Sequence, residues 1–182
     1  MATNLELKVR ATPDELERVA ARANALDAST QDAMRQVDTY FHVRHGRLKL
    51  REITSEGQAV SYELVGYQRP DNDAARWSTY SRAPLDPNVA PSVLEALRST
   101  LGVKIVVEKQ RRVAIWRRTR IHLDMVAGLG AFVELETVTT TDDDPTAYEE
   151  LAALASSLGL DALDRVPGSY ADLLLEGETS CD

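Results

Sequence analysis

The stretch Arg120 to Glu136, RIHLDMVAGLGAFVELE, decides how the chain is read. At the strand period of two, Arg120, His122 and Asp124 share one face, while Ile121, Leu123 and Val126 are assigned to the other. After Gly128-Leu129-Gly130 the alternation returns, with Phe132, Glu134 and Glu136 against Val133 and Leu135. The pattern predicts a hairpin with one ionic face. A half-exposed hairpin would alternate in the same way, so this segment alone could simply be wet on one side. The device recurs with basic residues in strand after strand, however, while the intervening helical segments carry apolar stripes. Charged faces that converge need a charged guest.

Composition bounds the possibilities. A chain of 182 residues with 43% hydrophobic and 27% charged content reads as a soluble globular protein, here a single domain over 1–176 with a flexible tail at 177–182. The formal net charge of −8 argues against a general affinity for nucleic acid or for anionic membrane, both of which reward an excess of Lys and Arg. The lone Cys181 cannot form an internal disulfide, and no apolar run approaches the ~20 residues of a membrane span. With no signal-like N-terminus, the cytoplasm is the expected compartment.

Taken in order, residues 3 to 11 alternate as a strand, with Leu5, Leu7 and Val9 opposite Asn4, Glu6, Lys8 and Arg10. Thr12, Pro13 and Glu15 form a capping-box start for a helix whose stripe is Leu16, Val19, Ala20, Ala23 and Leu26. A short helical piece over Thr30 to Gln36 and a strand at Asp38 to Phe41 are expected next. Arg47, Lys49 and Arg51 then oppose Leu48 and Leu50. Glu63, Val65, Tyr67 and Arg69 share a face in the following strand, as do Ser78, Tyr80 and Arg82 in the one after it. Pro91 to Leu101 reads as a helix stopped by Gly102, and a long strand carries Lys109 and Arg111 to Trp116. Beyond Glu136, Asp144-Pro145 opens a helix ended by Gly159, and Ser169 caps a last short helix over Tyr170 to Leu175.

Eight strands joined mostly by short turns, with amphipathic helices between them, predict an α+β fold: a closed or nearly closed antiparallel sheet with its helices outside. If apolar faces filled such a barrel, the helix stripes would cover nothing. Turning the apolar faces outward under the helices puts the charges in a tunnel. Buried charges must be paired or wet, and here both signs are present. The acids are Glu6, Asp124, Glu134 and Glu136; the bases are Lys8, Arg10, Lys49, Arg51, Arg69, Arg82, Lys109, Arg111 and Arg120. Carboxylates at i and i+2, as in Glu134 and Glu136, can reach one hard divalent cation, and cations around it suit a polyphosphate.

The ordered pieces Asn4-Leu5-Glu6-Leu7-Lys8, Asp38-Thr39-Tyr40-Phe41, Leu48-Lys49-Leu50-Arg51, Tyr67-Gln68-Arg69-Pro70, Lys109-Gln110-Arg111, His122-Leu123-Asp124, Gly128-Leu129-Gly130, Phe132-Val133-Glu134-Leu135-Glu136 and Gly168-Ser169-Tyr170 resemble the CYTH superfamily, the triphosphate tunnel metalloenzymes. The Asp-Thr-Tyr-Phe and Leu-Gly-x-Phe-x-Glu-x-Glu elements look most like its class IV adenylyl cyclase branch. The resemblance implies an eight-stranded antiparallel tunnel, Mg²⁺ or Mn²⁺, and a nucleoside or other triphosphate. By it, Glu6, Glu134 and Glu136 would hold metal, with Asp124 as a ligand or a supporting acceptor. Lys8, Lys49, Arg51, Arg69, Lys109, Arg111 and Arg120 would bind phosphates, with Lys8, Arg120 and Asp124 expected at the reacting centre. The family's signature is Glu-x-Glu-x-Lys, and this chain has Asn4 at the first Glu, which offers an oxygen but no charge. The readings open at this level are a cyclase, an inorganic or thiamine triphosphatase, and a triphosphate-binding protein with little turnover. Exposed sheet edge makes a homodimer plausible.

Overall fold

The hairpin is present: β8 (Thr119–Val126) and β9 (Gly130–Thr139) pair antiparallel with Arg120 opposite Glu136, His122 opposite Glu134 and Asp124 opposite Phe132. Its turn places Gly128 at φ +77 and Gly130 at φ +91, conformations that L side chains resist. The structure, a computed structural model, describes residues 2–68, 76–139 and 144–179. The other strands are β1 (Ala2–Ala11), β2 (Ser29–Thr30), β3 (Met34–Phe41), β4 (Arg47–Ser55), β5 (Ser61–Gln68), β6 (Arg76–Leu85) and β7 (Val103–Trp116). The helices are α1 (Pro13–Ala25), α2 (Ala90–Leu101), α3 (Pro145–Leu158) and α4 (Tyr170–Thr179).

Because β8 pairs with both β9 and β7, the sheet closes. The ring runs β7-β3-β4-β5-β6-β1-β9-β8, antiparallel throughout. Closure removes the free edges that an open sheet would expose. It also puts β4 opposite β9 and β3 opposite β1 across the hollow.

Three expectations need correction. The segment read as a helix over Thr30 to Gln36 holds the last residue of β2 and the start of β3. β7 is 14 residues long and its pairing with β3 ends at Arg111, so β2 covers the same edge further on, opposite Ala114 and Ile115. The bond from Gln31 N to Val113 O, 2.9 Å, continues that pairing. An edge of unpaired amides outweighs the weak helical propensity of a short polar run. Val126 lies inside the ring, because the β8 register runs unbroken to Val126 opposite Lys109 and keeps it in phase with Asp124. The last helix continues past Leu175 to Thr179, across the boundary drawn at 177.

The outer core sits on one side of the ring. Leu5, Leu7 and Val9 of β1, Ile121 and Leu123 of β8, and Val133 and Leu135 of β9 bury against Leu16, Val19 and Ala23 of α1 and Leu151, Leu154 and Leu158 of α3. The expected α1 capping box is formed by Thr12 and Glu15, and the Asp144 side chain accepts from the amides of Thr146 and Ala147 at the start of α3. Arg118, in the β7–β8 turn, ties that turn to α3 through Asp144 at 2.8 Å and Glu150 at 2.6 Å. The α2 stripe, Val93, Leu94, Leu97 and Leu101, is only half-buried. Leu154→Ala, which opens a cavity between α3 and the sheet, is expected to cost about 2–5 kcal/mol. Leu97→Ala should cost a small fraction of that, the two being compared by the shift of the urea midpoint at unchanged m-value.

Candidate active site

Two aspartates organise the hollow, and each sits opposite a Lys-x-Arg pair on the neighbouring strand. Asp38 of β3 is in register with Arg51 of β4 and accepts Arg51 Nε at 2.8 Å, Arg51 Nη2 at 2.9 Å and Lys49 Nζ at 2.7 Å. Gln36 Nε2 adds a bond to Asp38 at 3.2 Å. Asp124 of β8 is in register with Arg111 of β7 and accepts Arg111 Nε at 2.6 Å, Arg111 Nη2 at 2.5 Å and Lys109 Nζ at 3.1 Å. Tyr170, at the start of α4, donates to the same carboxylate at 2.9 Å. Residues i and i+2 on a strand share a face, so each aspartate fixes both cations of its pair with their remaining donors free to turn inward.

Three glutamates, on β1 and β9, face the β4 pair across the hollow and adjoin the β7 pair beyond β8. Glu6 is in register with Glu136, and Lys8 with Glu134. Tyr80 donates to Glu6 Oε1. Glu134 pairs with Lys8 at 3.5 Å and Arg111 at 3.0 Å. Glu136 takes Arg120 at 3.0 Å and the Asn4 amide. His122 lies between the last two, its Nδ1 3.7 Å from Glu134 Oε2 and its Nε2 3.7 Å from Glu136 Oε2, both too long for hydrogen bonds. Lys8 and Lys109 approach the Tyr170 ring, at 4.2 and 4.9 Å from its centroid. The cavity enclosed by these walls is about 410 Å³. Phe132, Tyr40, Tyr67 and Tyr170 form an apolar cluster at its α4 end.

Burial and charge pull the ionisable groups in opposite directions. Burial alone would raise the Asp38 and Asp124 carboxyls, but Lys49 with Arg51, and Arg111 with Lys109, hold both well below the usual carboxylate range. Glu134 is likewise held down by Lys8, His122 and Arg111 against its own burial. Burial and the like charge of Arg51 push Lys49 down to about 7, in spite of Asp38. Burial and Arg111 push Lys109 down to about 8, in spite of Asp124. Burial lowers His122 as well, with Arg111 adding to the effect.

The residues expected at the site therefore fall into groups. Glu6, Lys8, Lys49, Arg51, Lys109, Arg111, Arg120, Glu134 and Glu136 line one cavity. Asp124 is 0% exposed, its oxygens taken up by two cations and a tyrosine, and it does not line the cavity. Arg82 lines the cavity paired with Glu63 at 2.6 Å, while Arg10 is exposed and reaches Leu129 O at 3.1 Å. Arg69 lies outside the described residues. Sequence reading gave no role to Asp38, Tyr80 or Tyr170. Asp38 was signalled by its period-two phase with Tyr40, but a tyrosine that reaches a site from a helix leaves no such mark.

The donor chemistry of the acidic wall suits a divalent cation: three carboxylates, plus two buried side-chain atoms without hydrogen-bond partners, Asn4 Oδ1 and His122 Nδ1. Among the described residues no three acidic or histidine side chains already stand at ligand spacing, because Glu134 and Glu136 are turned towards Lys8, Arg111, Arg120 and Asn4. An incoming ion has to draw them off those partners.

The CYTH domain family model matches residues 2–170. The chain belongs to the CYTH domain family. Its structure is similar to that of the PH1819 protein of Pyrococcus horikoshii, with a TM-score of 0.76, 24% identity and coverage of 96% of this chain and 99% of that one. It is similar to PH1012 of the same organism, at TM-score 0.73 and 20% identity over 93% and 98% of the two chains. A Vibrio parahaemolyticus protein described as a candidate adenylate cyclase gives 0.69 and 22%, over 94% and 97%. No curated protein matches in sequence. Among the described residues of this CYTH protein, no helix is long and apolar enough to cross a membrane.

The two depressed lysines give the fold a defined pH dependence. Unfolded lysine titrates near 10.4, so between about pH 8 and 10 the unfolded chain binds more protons than the folded one, and stability rises with pH across that window. The melting temperature of the ligand-free protein should rise from pH 7 to pH 9. Lys49→Met should flatten the rise, and saturating tripolyphosphate, which favours the charged lysines, should reverse it.

Proposed function

We propose that this protein is a metal-dependent enzyme that binds a triphosphate inside the tunnel and acts as a class IV adenylyl cyclase, converting ATP to cyclic AMP and pyrophosphate. The observation that carries this reading is the arrangement of two aspartate-clamped Lys-x-Arg pairs facing three glutamates across one cavity of about 410 Å³. Membership in the CYTH family supports the triphosphate and the metal. The cyclase assignment draws on the Asp38-Thr39-Tyr40-Phe41 and Leu129-Gly130-x-Phe132-x-Glu134-x-Glu136 elements and on the name of the Vibrio protein.

In this reading Arg51 and Arg111 bind phosphate oxygens through the donors their aspartates leave free, and Lys49 and Lys109 add point charge beside them. Lys8 and Arg120, now on Glu134 and Glu136, turn to the phosphate chain. Asp38 and Asp124 position these cations without touching the nucleotide. When bound by Glu6, Glu134 and Glu136, Mg²⁺ or Mn²⁺ would supply charge neutralisation at phosphate oxygens. The ribose 3′-hydroxyl gives its proton to water as its oxygen bonds to the α-phosphorus and the bond from that phosphorus to the bridging oxygen breaks, and pyrophosphate leaves with its charge met by the cationic wall. Such a reaction rests on in-line positioning and electrostatics more than on a strong protein base.

Incubation with ATP, tripolyphosphate and thiamine triphosphate, each with Mg²⁺ or Mn²⁺, tests the proposal through product separation. Cyclic AMP with pyrophosphate is the expected result. Orthophosphate would make the protein a triphosphatase, and tight binding without products would make it a triphosphate receptor. Arg51→Met should lower kcat/KM roughly hundredfold, the scale for losing one preorganised charged donor. Asn4 donates to Glu136, where a carboxylate would repel it and add charge for a cation. Asn4→Glu should therefore raise metal affinity or turnover, read by calorimetry and by rate; no change in either would place residue 4 outside the metal's reach.

A further inference from the structure

The imidazole of His122 stands within the acidic wall, between Glu134 and Glu136. It is 6% exposed, projects from β8 into the cavity and lies in register with Glu134, yet Nδ1 is buried without a hydrogen-bond partner. Structural and ligating histidines alike ordinarily commit a ring nitrogen to an acceptor or an ion. Here each ring nitrogen stands 3.7 Å from a carboxylate oxygen, Nδ1 from Glu134 and Nε2 from Glu136. Two ligands that share one ion through bonds of about 2.1 Å sit roughly 3.0–3.5 Å apart, so a closure of a few tenths of an ångström brings the imidazole and a carboxylate onto one ion. The second unpartnered buried atom at this wall is Asn4 Oδ1, a neutral oxygen 5% exposed with its residue.

We propose that His122 is a metal ligand beside Glu134 and Glu136, and that this site takes Mn²⁺ or another nitrogen-accepting divalent ion in preference to Mg²⁺. Mg²⁺ demands hard, preferably anionic oxygens and holds its water; an imidazole nitrogen and an uncharged amide oxygen lower what the wall offers it. Ions further along the transition series accept imidazole readily and lose less by the exchange of a carboxylate for an amide. The inference rests on the reading of these carboxylates as the metal site, and it fails separately from that reading.

The test uses the full chain freed of metal, then given Mn²⁺ at less than one equivalent, with and without tripolyphosphate, which carries no nitrogen. Continuous-wave EPR reports bound Mn²⁺, and pulsed EPR reports ¹⁴N coupling to it. Coupling is expected, changing to the ¹⁵N pattern in protein made with ¹⁵N-histidine and persisting when the other two histidines, the exposed His42 and His45, are both replaced by Gln. His122→Gln should abolish it and weaken Mn²⁺ roughly tenfold or more, with a much smaller change for Mg²⁺. Mn²⁺ bound without nitrogen coupling, or coupling lost in the His42→Gln, His45→Gln protein, overturns the role of His122 while leaving the carboxylate site intact. Wild-type protein that binds no Mn²⁺ in either condition overturns both. The labelled wild-type spectrum decides the matter even if His122→Gln does not fold.

Discussion

Every charge turned into this hollow needs a counter-charge, and that requirement shapes the walls. A carboxylate or ammonium removed from water without a partner costs several kcal/mol or more, so the interior can hold ions only as bonded sets. The register of the sheet supplies the sets. Asp38 opposite Arg51 and Asp124 opposite Arg111 each convert an i, i+2 pair of cations into a planar, hydrogen-bonded group. A shift of one residue in β3 or β8 would move the aspartate to the outer face and leave two buried cations unpaired. Correct charge pairing thus acts as a test of strand register between β3 and β4 and between β7 and β8.

The same accounting reconciles an acidic chain with the anion proposed for its tunnel. Net charge measures the whole surface, and at −8 it disfavours indiscriminate binding to phosphate polymers. Inside the ring the potential is set by what lies within a few ångströms, where Lys49, Arg51, Lys109 and Arg111 line one wall. The two lysines show the strain of that crowding. Burial and neighbouring guanidinium groups lower both, and an anion that enters relieves the repulsion that keeps them partly neutral.

Much of this was legible in the sequence because strand faces are. The period of two identified Glu6, Lys8, Lys49, Arg51, Lys109, Arg111, Arg120, Glu134 and Glu136 as inward residues, and the need to place the helix stripes against something turned the barrel inside out in the right sense. What was not legible depends on pairings between distant segments. The sequence marks Asp124 as acidic and inward, but only the β7–β8 register shows that Arg111 and Lys109 consume its oxygens. Tyr170 reaches the site from α4, where no strand phase announces it, and β2 exists because β7 outlasts β3, a difference in length that local propensity does not record.

The tunnel's own charges neutralise one another, and in the proposed reading this couples metal to phosphate. Glu134 and Glu136 now serve as counter-ions to Lys8, Arg111 and Arg120, the same cations a phosphate chain requires. In the proposed reading, a metal that takes the glutamates removes one counter-charge from each of those cations, Arg111 keeping Asp124, and a polyphosphate that takes the cations removes theirs from the glutamates. Either ligand alone bears the cost of stranding the other's residues, whereas both together replace one balanced set of charges with another. In the proposed reading the binding of metal and anion is therefore cooperative through electrostatics, and the coupling is reciprocal. Asn4 tempers it: as an amide it already satisfies one oxygen of Glu136 without adding charge, so the metal-free state is less in need of a cation than one with a carboxylate at that position would be.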